Sequence, residues 1–398
     1  MTVPERAAVV VVGGGITGVS VANSLTKAGM DDVVLLEKRS LASASTGRSA
    51  GIVETQYFTD FDVEIRAQSL REFERLAAET RAEFTQVGYL RLLMDPADEA
   101  RYRESIRVQR RHGIDDARYL EPAEIEALVP DLNVADVHGG IYGPSDGYAD
   151  PYTITQLYAE RARDRGAQIH TGVAAESVLV EGEAVRAVET SEGTIECETV
   201  VNAAGPWAPT FAEGVGLDLP AAPYRRQILV AEPPAGADLE YTVPTVMEYT
   251  PGGSNPGLYF RDEGDEQVIL GLHQEVGTEE TPADPDRYRT EYDESVALEI
   301  FDLLAHRAPA FADFGVVNGW SGLYTITPDT QPIVDRHPTV AGYYVAAGFS
   351  GKGFQIGPAI GEIVADLVLE GETDVVSDLA PMKLDRFDRA DGRETTPE

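Results

Sequence analysis

The hydrophobic pattern opens with a continuous apolar run, Ala7 to Val12, rich in valine and without polar alternation. Such a run suits a strand covered on both faces, as in a parallel sheet. Ile16 to Ala28 then reads as a helix ended by Gly29, and Val33 to Leu36 as a second strand ending at Glu37. Farther on, Asp150 is placed to cap a helix that starts at Pro151 and runs to Arg165. Gly166 ends it, and Ile169 to Val173 resumes a strand. "GTIECETVV" is strand-like, and "TVVNAAGPWA" is a buried strand ending in small residues. Between these pieces the texture changes. Residues 81–145 mix amphipathic helices with prolines, and 218–318 hold aromatic-rich strands and polar loops, with "EPPAGAD" and "TPGGSNPG" as turns. The pattern predicts an α/β fold of two interleaved domains. One is a nucleotide domain from 1–80, 146–217 and 319–380; the other is a substrate domain from 81–145 and 218–318. A charged tail covers 381–398, and its end, "DRADGRETTPE", is expected to be disordered.

Chemistry enters with the glycines. Gly13, Gly15 and Gly18 form G-x-G-x-x-G between the first strand and the helix, which permits a tight turn and close approach of backbone to a pyrophosphate. Glu37 lies 19 positions after Gly18 (37 − 18), close to the ~20 expected for a carboxylate that bonds a ribose hydroxyl. Together these predict dinucleotide binding. The second strand then runs into "LASASTGRSAGIV", small hydroxyl-bearing residues with Arg48, which suits a loop laid along a flavin.

Composition narrows the partners. The 398 residues carry 68 acidic against 32 basic side chains, a net charge of −36. Only four are lysines (Lys27, Lys38, Lys352, Lys383), a balance like that of salt-loving archaeal proteins. The negative field disfavours nucleic acid, and the richest basic run, "RYRESIRVQRRHG", reads as one face of a helix. The single cysteine, Cys197, excludes an internal disulfide and fits a reducing cytoplasm. No apolar stretch approaches the ~18–20 residues of a membrane span, and the six histidines show no ligand spacing for a metal. A cytoplasmic protein is expected.

In family order, "GGGITG", Glu37, "ASTGRSAG", "NAAGPWA", "GLYTITPDTQPIVD" and "VAAGFSGKGFQIGPAIG" resemble the D-amino-acid oxidase and sarcosine oxidase superfamily of FAD-dependent amine oxidoreductases. The nearest branch is that of the sarcosine oxidase and proline dehydrogenase beta subunits. The resemblance implies a Rossmann-like FAD-binding domain of the glutathione-reductase type, with an interleaved antiparallel-sheet substrate domain. It places the FAD diphosphate over Gly13, Gly14, Gly15, Ile16, Thr17 and Gly18, and the ribose at Glu37 and Lys38. Ser45, Thr46, Arg48, Ser49, Ala50 and Gly51 line the middle of the cofactor and its ring. Val173 meets adenine, and Ala204, Gly205 and Trp207 form a second pass of chain. Leu323, Gly348, Ser350, Gly351, Lys352, Gly353, Phe354 and Gln355 belong at the flavin pyrimidine edge. There Lys352 replaces a histidine of relatives, and its ammonium is placed to hold the reduced flavin or a substrate carboxylate.

Several positions depart from the family. Its arginine anchor for the substrate carboxylate matches Glu54, its lysine anchor matches Gln355, and the arginine of glycine oxidases matches Tyr324. Lys352, Arg48 and Tyr324 are therefore the substrate or flavin-edge candidates, ahead of Arg225, Arg226 and Arg261; His273 is a lesser helper. The family's attachment cysteine matches Gly322, so FAD is expected to be non-covalent. The oxidase lysine that promotes reaction with oxygen matches Ile269, which favours a dehydrogenase over an oxidase. The acceptor is a quinone or a protein if the chain is a dehydrogenase and oxygen if it is an oxidase, and homo- or hetero-oligomers are both open. The expected substrate is a small amino acid or secondary amine. Two alternatives are a 2-hydroxy-acid or glycerol-phosphate-type dehydrogenase and a non-catalytic flavoprotein assembly factor.

Overall fold

The computed structural model describes residues 2–235, 241–248, 257–273 and 280–388. The first valine run is the Arg6–Val12 strand, with Val33–Glu37 parallel on one side and Gly193–Asn202 parallel on the other. Gln168–Thr171 and Tyr343–Ala347 extend the parallel sheet outward in the two directions, and Ile333–Arg336 adds an antiparallel edge. The continuous apolar run now has its cause. Val9 and Val11 pack into one core with the helices Ile16–Lys27, Pro151–Asp164 and Gly353–Leu369, while Val10 and Val12 pack into another on the opposite face. Residues of the strands Ala175–Glu181 and Ala184–Thr190 join that second core; Ala184–Thr190 pairs with the start of Gly193–Asn202, and Ala175–Glu181 pairs with Ala184–Thr190.

A second sheet of eight strands is mostly antiparallel. Its order runs Gly315–Ile326, Ala222–Glu232, Gln267–Leu272, Leu258–Gly264, Thr245–Met247, Tyr89–Leu93, Gly139–Gly143, Arg118–Leu120. The expected division between 318 and 319 falls inside the Gly315–Ile326 strand, which pairs along its length with Ala222–Glu232. A small third sheet joins Ile52–Val53 and Phe84–Thr85 to Gly147–Ala149.

Local signals acted as read. The Asp150 side chain accepts from the Thr153 amide at 2.7 Å and opens Pro151–Asp164. The basic run lies on the Glu99–Arg111 helix. At the start of the expected charged tail, Met382 is fully buried and Arg386 pairs with Asp329 at 2.7 Å, so 381–388 is folded onto the body. Residues 389–398 of that tail, and most of the turns expected at "EPPAGAD" and "TPGGSNPG", lie outside the described residues. Among the described residues, no helix is long and apolar enough to cross a membrane.

Candidate active site

The glycine turn sits at the carboxyl end of Arg6–Val12 and leads into the N-terminus of Ile16–Lys27, which has neither a side-chain cap nor an acidic residue in its first turn. A Cβ on Gly18 would stand 1.9 Å from the Gly13 carbonyl oxygen, so the turn and the helix approach only because the residue is glycine. The Glu37 carboxylate accepts from the Gly14 and Arg39 amides, each at 2.8 Å, which fixes it at the end of its strand. Thr46 Oγ1 accepts from the Ile16 amide at 3.1 Å and so ties the hydroxyl-rich loop to the helix start.

These residues line a cleft of about 350 Å³. Of the expected cofactor residues, Gly13–Thr17, Glu37, Lys38, Ser45, Thr46, Arg48, Ser49, Ala204, Gly205, Trp207, Leu323, Gly348, Ser350, Gly351, Gly353 and Phe354 all reach it. Lys38 lies 3.6 Å from the centre of the Trp207 ring and 2.9 Å from Asp286, bridging the cleft rim to the segment before the Glu294–Arg307 helix. Val173 stands beside the cleft, with its amide committed to the Glu37 carbonyl at 3.0 Å. An uncapped helix end, a carboxylate at the strand end and a glycine cradle are what an adenine dinucleotide requires, so the cleft fits FAD. Gly322 has no side chain to attach a flavin, and Cys197 is buried in the parallel sheet, where burial pushes its thiol up to about 12.

A larger cavity of about 890 Å³ opens beside the cleft and shares Ser49, Tyr259, Tyr324, Ser350, Gly351 and Phe354 with it. Lys352 lines this cavity, is only 6% exposed, and forms the N-cap position of Gly353–Leu369. Its ammonium lies 5.5 Å from the centre of the Tyr57 ring, over which the Arg66 guanidinium also sits at 3.3 Å. Gln355 lines the same wall.

The other cations sort differently from expectation. Arg48 lines the cofactor cleft rather than the large cavity and donates to the Ser321 carbonyl at 3.1 Å, while the Arg48 carbonyl accepts from Trp320 Nε1 at 2.9 Å. Arg225 pairs with Asp293, Arg226 with Glu280, and Arg261 with Glu263.

The sequence reading missed Arg91, 3% exposed on the cavity wall, with Glu54, also 3% exposed, at 3.7 Å. A signal was present: Arg91 breaks the apolar run "YLRLL", all of which is buried. Glu54, read as a lost anchor, is thus one half of a buried pair. Burial, then the charges of Lys352, Arg91 and Arg226, push the His273 imidazole down to about 3. It faces the cavity as a neutral ring. Tyr324 and Tyr259 are held above the usual phenol range by burial and remain neutral as well.

The model for the DAO family, described as "FAD dependent oxidoreductase", matches residues 8–367. The chain belongs to this family. The family is one of FAD-dependent oxidoreductases, so FAD is the cofactor of this chain. Within the family, the chain is 32% identical over 387 residues to mitochondrial dimethylglycine dehydrogenase of Mus musculus, covering 92% of this chain and 43% of that one. It is 28% identical over 387 residues to mitochondrial sarcosine dehydrogenase of Homo sapiens, covering 92% of this chain and 40% of that one. The chain thus spans less than half the length of these relatives. Among solved structures, L-proline dehydrogenase from P. horikoshii superposes with a TM-score of 0.88 at 29% identity, over 98% of this chain and all of the other.

Proposed function

We propose that this protein oxidises the C–N bond of a small amino acid or secondary amine, and that the cavity beside the FAD cleft is the substrate site. One observation carries the reading: Lys352 is buried in the wall of a cavity that opens onto the cofactor cleft. A cation in a largely apolar cavity wall attracts an anionic ligand more strongly than it would in water. Lys352, Arg91 and the N-terminus of Gly353–Leu369, which has no acidic residue in its first turn, favour a carboxylate there. The bound FAD supplies the two-electron acceptor. The chain's part is to hold the substrate carboxylate, to exclude water with Tyr57, Tyr89, Tyr259 and Tyr324, and to receive the amine in its uncharged form; His273, pushed down to about 3, stays neutral beside it.

We further infer a dehydrogenase rather than an oxidase. Ile269 is 1% exposed and packs with Ile228 and Val230 against Ala50 of the flavin loop, so this face offers an apolar side chain where an oxygen-activating cation would stand. The charge of −36 and the four lysines support a cytoplasm of high salt.

Anaerobic bleaching of the bound FAD by a panel of amino acids, secondary amines, hydroxy acids and glycerol phosphate tests the reading. Bleaching by proline, sarcosine or a related amine is expected. Bleaching by hydroxy acids alone would transfer the protein to the alcohol-oxidising alternative. No bleaching, with a partner recovered by pull-down, would make it a non-catalytic assembly factor.

A further inference from the structure

Behind the cavity wall lies a closed ring of four polar side chains from three elements, none of which takes part in the proposed chemistry. Asp146 and Gln109 are fully buried, as are Thr55 and Gln56. Thr55 Oγ1 lies 3.0 Å from Asp146 Oδ1 and 3.2 Å from Gln109 Oε1. Gln56 Nε2 lies 2.8 Å from Asp146 Oδ2, and Gln109 Nε2 lies 3.4 Å from Gln56 Oε1. Gln109 Nε2 also reaches Ser105 Oγ at 3.2 Å, and Ser105 in turn donates to the Tyr57 carbonyl at 2.5 Å.

Counting hydrogens decides the protonation state. The ring has four links, and each needs one hydrogen. Thr55, Gln109 and Gln56 supply one each, since Thr55 owns a single hydroxyl hydrogen and the second Gln109 hydrogen goes to Ser105. The fourth must come from the carboxyl group. Turning both amides over does not remove the need: Gln56 Oε1 would then face Asp146 Oδ2, and the proton would be required there instead. An ionised Asp146 leaves one buried acceptor facing another, a costly arrangement.

We propose that Asp146 is a neutral carboxylic acid in the folded protein, and that its proton makes it a positioning residue for the Glu54–Tyr57 segment of the cavity wall. Glu54 and Tyr57 face the cavity while Thr55 and Gln56 between them are held by the ring. Close packing supports the ring as built: a Cβ on Gly143 would stand 2.1 Å from Gln56 Nε2 and 2.5 Å from Asp146 Oδ2. The electrostatic surroundings agree. Burial, then the charges of Glu54 and Asp116, hold the Asp146 carboxyl well above the usual carboxylate range, against the opposing bonds from Gln56 and Thr55. The nearby titratable rings Tyr89 and Tyr142 are themselves raised by burial, and Arg91 is paired with Glu54.

The protonation half stands alone; the positioning half rests on the cavity being the substrate site. Asp146→Asn retains one donor and one acceptor for the ring, and Asp146→Ala removes both. The test compares FAD-loaded wild type with both variants. A group whose folded pKa is raised contributes stability that is complete below its unfolded pKa, ~4, and is lost as pH rises toward the folded value. The folding equilibrium constant of Asp146→Asn relative to wild type should therefore rise about tenfold per pH unit from pH ~4 upward. A ratio that is flat, or that falls with pH, would overturn the neutral assignment. Hydrogen exchange read on peptides spanning Glu54–Phe58 should be at least tenfold faster in Asp146→Ala and unchanged in Asp146→Asn. Should Asp146→Ala fail to fold, Gln109→Leu, which breaks the same ring, takes its place. Exchange that rises uniformly over the chain, or not at all, would overturn the positioning role. If proline or sarcosine is turned over, the loss in Asp146→Ala should fall mainly on KM and be restored in Asp146→Asn. Unaltered KM in the alanine variant counts against positioning. Absence of turnover in wild type counts against the proposed function alone, because the first two measurements need no substrate.

Discussion

At the scale of residues, Lys352 sets two properties of the cavity at once. It is the buried cation a substrate carboxylate would meet, and its charge is one cause of the depressed His273. Removing one partner of a buried charge pair costs about 2–5 kcal/mol, which is about thirty-fold or more in binding. Lys352→Met should raise KM for an amino-acid substrate by that factor, with a smaller change in kcat. It should also let the His273 titration move up from about 3, visible as an acid limb in the pH profile of kcat/KM that the wild type lacks above pH 4. An unchanged KM would leave Arg91 as the anchor. The sign for stability follows the same shift. A histidine with a depressed folded pKa contributes stability above ~6.5 that is lost as pH falls toward its folded value, so acid destabilises the wild type more than Lys352→Met. At the other end of the cofactor, Glu37 already holds two backbone amides. Glu37→Arg should therefore weaken FAD binding by at least a hundredfold, measured by titrating apoprotein with FAD; unchanged affinity would reduce Glu37 to a strand terminus.

Elements meet where side chains have been removed. The helices Ile16–Lys27 and Gly353–Leu369 cross in close contact, and a Cβ on Gly361 would come within 2.5 Å of the Ser20 backbone. Gly361→Ala cannot be absorbed by a rotamer change, because the obstacle is main chain. Overpacking of this kind costs about 1–3 kcal/mol, and the urea midpoint of the FAD-loaded protein should fall accordingly. The crossing matters because the first helix presents its N-terminus to the diphosphate while the second carries Lys352. This scale also shows what the sequence could tell. Elements were legible wherever periodicity was local: the valine run, the glycine turn, the Asp150 cap. Arg91 and Glu54 were not, because their meaning lies in a contact between a strand of the second sheet and the residue just after the Ile52–Val53 strand. The same holds for Arg48, which sits in the expected loop yet spends its guanidinium on the Ser321 carbonyl. The folded segment 381–388 was missed because its charges looked solvated, whereas Arg386 and Asp329 face each other at 2.7 Å beside the cavity.

For the whole molecule, the decisive question is where electrons leave. The apolar cluster of Ile228, Val230 and Ile269 beside Ala50 supplies no charge to stabilise superoxide as it forms. Mixing the reduced enzyme with air-saturated buffer in a stopped-flow instrument should show slow reoxidation that an artificial acceptor accelerates; reoxidation as fast as in a true oxidase would refute the dehydrogenase assignment. The way the chain is woven has a consequence of a different kind, in time rather than in space. The parallel sheet takes strands from the beginning, the middle and the end of the chain, and Tyr343–Ala347 pairs with Val200–Asn202. The cofactor cleft needs Gly13 and Phe354 together, residues separated by most of the sequence. Contacts of such long range form late, because loop closure precedes any reward from them. On the ribosome, the glycine turn emerges long before Phe354, so a fragment that stops short of Phe354 should not retain FAD. The cleft is complete only once Phe354 has joined it, and until then the incomplete parallel sheet stays exposed to aggregation.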